Sequence, residues 1–407
     1  MIEVAILGGG QAGLAVSREL TLAGVDHLVL ERHRIGETWR RHWDAFRLVT
    51  PNWTLDLPGF PYAGDDPQGF VHRDEIVRYL EGFARSFRAP VQTGVAVEAL
   101  KPLAGGGFVL ETSSGAIQAR QVVVATGAYQ RPHRPPAGGE FPHRLLVIDA
   151  EDYSNPAALP PGRVLVVGSG QTGCQLAEDL HLAGREVSLA VGRAPWGPRR
   201  LEGLDIIDWL SRTNWFEHTL SSLANPLARL GANILITGRD GGHDLNPRVL
   251  QAMGVQLVGH LTGVAGGRVH FAPDLGESVA FGDERYSAMC KVLRDQLPAA
   301  GYAVPEFPIP EPFIADAPVE LDLDGFGTVI FTSGFRPDYA RWVHVPGAFD
   351  EWGFPVAPDG ASTVAPGLYF VGVHFLRKRK SSLMLGVGED AAIVARQLSG
   401  EPSQPAL

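Results

Sequence analysis

The feature that most narrows what this chain can fold into occurs twice. Val4-Ala5-Ile6-Leu7-Gly8-Gly9-Gly10-Gln11-Ala12-Gly13 and Val164-Leu165-Val166-Val167-Gly168-Ser169-Gly170-Gln171-Thr172-Gly173 each run from a short apolar stretch into GxGxxG, 160 residues apart. After the first, Leu14, Ala15 and Leu20 recur at helical spacing, and Gly24 suits a helix stop. After the second, Leu176, Leu180 and Ala183 do the same before Gly184. Each helix leads to another apolar run, His27-Leu28-Val29-Leu30 and Val187-Ser188-Leu189-Ala190-Val191. This is βαβ written twice. A helix start presents free N–H groups and a positive dipole end, and glycines there let a pyrophosphate approach the backbone. The expected fold is α/β, with two Rossmann-like dinucleotide-binding domains.

The copies differ where a nucleotide would be told apart. Glu31 ends the second strand of the first unit, 18 residues after Gly13, where a carboxylate can accept hydrogen bonds from a ribose diol. The second unit ends at Val191-Gly192-Arg193 with no acid, and Arg199 and Arg200 follow. An acid would repel a 2′-phosphate and an arginine can pair with it, so NADPH is expected over NADH. No lysine follows either glycine set, which excludes a Walker P-loop.

Composition closes off other classes. Asp plus Glu outnumber Lys plus Arg by 45 to 35, a poor balance for a nucleic-acid binder. No apolar run nears the roughly 18 residues of a membrane helix, and the start lacks the basic region of a signal peptide. Only Cys174 and Cys290 are present, so no disulfide framework, CxxC or cysteine zinc site is expected, and no metal. A cytoplasmic protein is expected. At 407 residues, two or three domains are the prior.

Between the motifs, Arg73 to Phe87 reads as an amphipathic helix and Val91 to Ala125 as strands, the last ending in Thr126-Gly127. Prolines make Gln130 to Pro136 non-helical and Asn155 to Gly162 a linker. Leu201 to Leu230 reads as helical, with Trp209, Trp215 and Phe216 offering a pocket, a lid or plain packing. Ala299 to Pro312 reads as a proline-rich crossover. Further strand-to-turn endings fall at Ser333-Gly334 and Gly372, and Glu389 to Leu398 suggests a closing helix.

Several blocks carry a family resemblance. Leu30-Glu31-Arg32-His33-Arg34-Ile35-Gly36-Glu37-Thr38-Trp39, Phe46-Arg47-Leu48-Val49-Thr50-Pro51 with Leu57-Pro58-Gly59-Phe60-Pro61, and Thr332-Ser333-Gly334-Phe335-Arg336-Pro337 stand beside the two GxGxxG units and Ala125-Thr126-Gly127-Ala128-Tyr129. Together they resemble the flavin-containing monooxygenases and plant indole-pyruvate monooxygenases, class B flavoprotein monooxygenases with two dinucleotide-binding domains. The similarity covers about residues 1–195 and 325–395. It implies an FAD-binding domain in two parts, 1–158 and 323–407, around an NADPH-binding domain, 159–322, with a helical insertion at about 200–310. It implies cofactor contacts from Gly8, Gly10, Gln11, Ala12, Gly13, Glu31, Arg32, Thr38, Trp39, Thr50, Val95, Thr126, Gly127, Tyr129, Gly168, Gly170, Gln171, Thr172, Gly173, Arg193, Arg200, Gly334 and Gly372. Asn52, Arg47 and His374 are the candidate catalytic residues, with a plain loop histidine equally open for His374.

The chemistry implied is reduction of FAD by NADPH, formation of a C4a-peroxyflavin with O2, and oxygenation of a small organic substrate at nitrogen, sulphur or a carbonyl. An NADPH-linked flavin dehydrogenase or oxidase is the alternative, and a non-catalytic flavin-binding protein a lesser one. The implied partners are the substrate and O2, with no nucleic acid and no stable membrane insertion; a homodimer stays open. The sequence departs from the family fingerprint FxGxxxHSxxY. Across Phe141 to Tyr153, Asp149 takes the histidine position. Pro51, with Asn52 one residue on, stands where many members have an active-site Asn.

Overall fold

The computed structural model describes residues 1–400. Ile2–Leu7 is the pivot of the first sheet: it pairs in parallel with His27–Glu31 on one side and with Gly115–Val124 on the other. Val91–Thr93 extends the sheet beyond His27–Glu31. The long strand Gly115–Val124 does two jobs. Its start folds back on Phe108–Thr112, which pairs with Val97–Pro102, as an antiparallel meander. Its end takes Leu368–Phe370 as a parallel neighbour. The second sheet is wholly parallel, in the order Leu146–Asp149, Phe326–Phe331, Arg163–Val167, Val187–Ala190, Gln256–Val258. Val164, Leu165 and Val166 are fully buried, as expected of a strand covered on both faces.

The glycines fix how each helix meets its strand. A Cβ on Gly13 would lie 1.9 Å from the Gly8 carbonyl oxygen, and one on Gly173 equally close to Gly168. No side chain fits there, so Gln11–Leu22 and Gln171–Leu182 sit down on their sheets. The closing helix, Val387–Ser399, packs against Gln11–Leu22. A Cβ on Gly372 would fall 2.5 Å from that of Ala12, so the two ends of the first unit meet without a spacer.

Sheet membership moves the expected domain boundaries. Leu146–Asp149 precedes residue 158, and Phe326–Phe331 follows residue 322, yet both belong to the second sheet. The chain crosses at Arg131–Pro132 and returns at Phe335–Arg336, and these two segments pair antiparallel. The proline-rich Asn155 to Gly162 stretch therefore lies inside the second unit: Asn155 caps a short 3₁₀ turn, and Arg185 holds the Pro160 and Gly162 carbonyls.

The expected long helix over 201–230 is also corrected. Only Ile206–Ser211 is α-helical, followed by 3₁₀ turns at Trp215–Glu217, Leu220–Ser222 and Pro226–Leu230. Glu202 and Gly203 take positive φ in a hairpin that breaks the start, and Asn225 caps a new turn before Pro226. The main helix of this region is Leu275–Gln296, and Leu261–Ala265, Arg268–Phe271 and Glu320–Asp322 add an antiparallel sheet. No helix among the described residues is long and apolar enough to cross a membrane.

Candidate cofactor cradles and the junction between them

At the first cradle, the Glu31 carboxylate stands under the glycine turn. Its oxygens accept from the Gly9 N–H at 2.6 Å and the His33 N–H at 2.8 Å. A Cβ on Gly10 or on Gly127 would meet nothing within 4 Å, so the space before the helix start and before the Thr126-Gly127 turn is open. An open cradle, a positive helix end and a carboxylate on the far strand fit an adenine dinucleotide. Gln11 buckles the rim: its amide accepts from Trp39 Nε1 and donates to the Ser382 carbonyl, both at 3.3 Å. Val95 is buried and its N–H donates to the Glu31 carbonyl, so it shapes the strand end. Arg32 and Thr38 are exposed along the same rim.

At the second cradle a serine does the tying. The Ser169 hydroxyl accepts from the Gly192 N–H at 2.9 Å and donates back to its carbonyl. A Cβ on Gly170 would find only Ala232, at 3.7 Å. Arg193 is exposed and in no ion pair among the described residues, which suits a phosphate. Arg199 and Arg200 are committed to the protein. Arg199 is buried against Asp205 and donates to the Val49 carbonyl, joining the two units; Arg200 holds the Gly241 and Gly242 carbonyls. His260 is a neighbour that sequence reading missed. Its Nε2 lies 3.3 Å from where a Gly192 Cβ would be, and its Nδ1 pairs with Asp274 at 2.7 Å. No local signal links residue 260 to residue 192.

The residues expected near the reacting centre sort into two groups. Asn52 is buried; its Oδ1 accepts from the Val71 N–H and its Nδ2 donates to the Asp66 carbonyl, which fixes the 50–71 loop. Arg47 donates to the Phe70 carbonyl on the same loop. Thr50 bonds the Thr54 hydroxyl, and Trp53 buries an Nε1 that has no acceptor. Gln171 is bonded at both ends of its amide to the backbone of Ile236.

His374 belongs to the second group. Its ring stacks on Tyr129 at 5.4 Å and stands edge-on to Phe354 at 5.1 Å. Burial, then the Arg229 charge, lower its pKa to about 4, so it is neutral at pH 7. Tyr129 is 61% exposed, so one side of the stacked pair faces solvent. Gly334 is exposed beside the paired crossing segments. Asp149, at the fingerprint position, is taken by a bidentate pair with Arg134 at 2.8 and 2.9 Å.

The paired cradles define a nucleotide-linked oxidoreductase. The chain belongs to the pyridine nucleotide-disulphide oxidoreductase family, which it matches over residues 5–214. It is 29% identical to an oxidoreductase designated CzcO-like from Geobacillus kaustophilus, with 96% of each chain covered. It is 31% identical to indole-3-pyruvate monooxygenase YUCCA1 from Oryza sativa, over 46% of this chain and 47% of that one. A flavin-containing monooxygenase from Stenotrophomonas maltophilia has the same fold, with a TM-score of 0.67 at 19% identity over 98% of both chains. The resemblance to flavin monooxygenases is thus met in both sequence and fold. The dithiol of the family's name is missing: Cys174 and Cys290 are both buried and free, and burial pushes the Cys174 thiol far up.

Proposed function

We propose that the protein is an FAD-dependent monooxygenase that takes hydride from NADPH and places one atom of O2 on a small organic substrate, at nitrogen, sulphur or a carbonyl, the other leaving as water. The observation that carries this reading is two complete dinucleotide cradles on one chain with no dithiol to receive the electrons. Bound FAD supplies the two-electron acceptor and the oxygen-activating ring. The protein supplies placement. The Gln11–Leu22 helix start would face the pyrophosphate and Glu31 would orient the ribose. Arg193 offers its charge to the 2′-phosphate, with His260 alongside. Trp53 holds an unused donor on the loop of Thr50, and the Tyr129–His374 stack covers the junction without adding a charge.

Oxygen bookkeeping tests the reading. With 18O2 and an oxygenatable amine, sulphide or ketone, one label should appear in product per NADPH consumed. If hydrogen peroxide accounts for all the NADPH, the protein is an NADPH oxidase. The closed Asp149–Arg134 pair, where the family fingerprint has histidine, is what favours that second reading.

A further inference from the structure

The two cradles differ at the corner where an adenosine ribose lies in this fold, the end of the second strand. The Gly8 N–H donates to the Leu30 carbonyl, and the Gly168 N–H donates in the same way to that of Ala190. Val191 therefore stands where the first unit has Glu31. Val191 is fully buried and Gly192 has no side chain, so the strand itself offers nothing to a ribose. The next strand does. Ala190 pairs with Val258, and this register brings His260 beside Gly192 two residues on. Its Nε2 is the nearest heavy atom to the space that a Gly192 side chain would take, at 3.3 Å.

The imidazole is held in place before any ligand arrives. The His260 N–H and its Nδ1 each meet one oxygen of the Asp274 carboxylate, at 3.0 and 2.7 Å, and the His260 carbonyl accepts from the Ala272 N–H at 2.8 Å. Gly259 keeps the turn tight, since a Cβ there would lie 1.9 Å from the Ala272 carbonyl oxygen. Burial pushes the Asp274 carboxyl up, but the hydrogen bonds from His260 bring it below the usual carboxylate range, so it is ionised at pH 7. A carboxylate on Nδ1 fixes which nitrogen of the ring turns outward. That nitrogen, Nε2, has no hydrogen-bond partner among the described residues, and the ring is half-exposed. Arg193 is a long, exposed arm that must give up rotamer freedom to bind, whereas a ring already tied down gives up little.

We propose that His260, oriented by Asp274, is the fixed recognition group for the 2′-phosphate of NADPH, and that Arg193 adds a looser second charge. A ring with a hydrogen on each nitrogen donates from Nδ1 to Asp274 and from Nε2 to a phosphate oxygen, a charge-assisted bond at each end. The ribose hydroxyl of NADH brings no charge to that contact, so the pair of residues separates the two nucleotides. The inference rests on the NADPH reading of the second cradle and is independent of what the flavin does afterwards.

The test is calorimetric binding to the FAD-loaded full-length protein, whose first cradle is then filled. The probes are 2′,5′-ADP and 5′-AMP, which differ only in the 2′-phosphate. Wild type should bind 2′,5′-ADP at least tenfold more tightly than 5′-AMP. His260→Gln should cut that ratio at least fivefold while leaving 5′-AMP binding within twofold, and His260→Arg should restore part of it. Asp274→Asn, which frees the ring without removing it, should lower the ratio by less than His260→Gln does. A wild-type ratio in both His260→Gln and Asp274→Asn overturns the proposal. So does a His260→Gln protein that loses the two probes equally, which would make His260 a contact for adenine. Turnover plays no part in these titrations. A wild type that does not tell the probes apart sinks the NADPH reading itself, whereas a ratio that survives His260→Gln but falls with Arg193→Ala sinks this inference alone.

Discussion

Gly10 and Gly13 are three residues apart and have opposite constraints. A Cβ at Gly10 meets open space, whereas one at Gly13 strikes the Gly8 carbonyl. Gly10→Val should therefore fold with a melting temperature close to wild type and lose FAD. Gly13→Ala should cost about 1–3 kcal/mol of stability through overpacking. Thermal melts with and without FAD separate the two; a Gly10→Val protein that keeps its flavin would defeat the cradle assignment. Arg193→Ala should shrink the preference for NADPH over NADH by about 1.5–3 kcal/mol, the scale of one charge-assisted hydrogen bond. Rapid-reaction flavin reduction at low nucleotide reads this, and a wild type indifferent to the two nucleotides would remove Arg193 from the site. Acid should act through two histidines. Burial, then the Arg73 charge, hold His42 at about 4, and burial, then Arg229, do the same for His374. The unfolded chain takes up these protons near pH 6.5 and the folded chain does not. Stability should fall as pH drops from about 6.5 to 4, and His374→Asn should flatten that slope in urea midpoints. The glycines and Glu31 were legible because their meaning is local. His260 was not, because its place beside Gly192 is set by chain far from it in sequence.

At the scale of elements, the segment 201–230 marks where sequence reading stops working. Ile206, Ile207 and Leu210 do fall at helical spacing and are buried, but the helix is one short piece. The 3₁₀ turns after it are held from outside. Glu217 accepts from Lys378 and Lys380, both at 2.5 Å, and the same lysines reach Glu389 on the closing helix. Ion pairs that are partly exposed are worth little one at a time, about 0.2–1 kcal/mol. Glu217→Ala should thus move the melting temperature by no more than a few degrees. Its effect should be local: trypsin should cut at Arg212 or Arg229 several-fold faster, and 0.5 M salt should do the same to wild type. Unchanged cleavage would mean that the other contacts of the segment, such as Arg229 with Asp350 and Gln296 with Asn214, are enough to hold it. The two βαβ units, by contrast, were readable to within a residue or two, since Gln11–Leu22 and Gln171–Leu182 start at the glycines and stop at Gly24 and Gly184.

Over the whole molecule, the pairing of Arg131–Pro132 with Phe335–Arg336 sets off a continuous stretch of chain that carries every strand of the second sheet. A fragment of residues 133–334 should fold alone, melt cooperatively and bind NADPH. A fragment of residues 1–158 should not, since it lacks Leu368–Phe370 and the helix that covers Gln11–Leu22. Circular dichroism melts of the two check this. The same pairing has a consequence for synthesis. On the ribosome the first sheet is begun at once but cannot be closed until its last strand, some 360 residues later, has emerged. At about 5–20 residues per second that is a wait of roughly 20–70 s. The inserted unit has all its strands by residue 331 and can finish while the earlier one is still incomplete. The half of the protein made first is therefore the half that folds last. During that interval its open edge at Val122–Val124 is what a chaperone would have to cover.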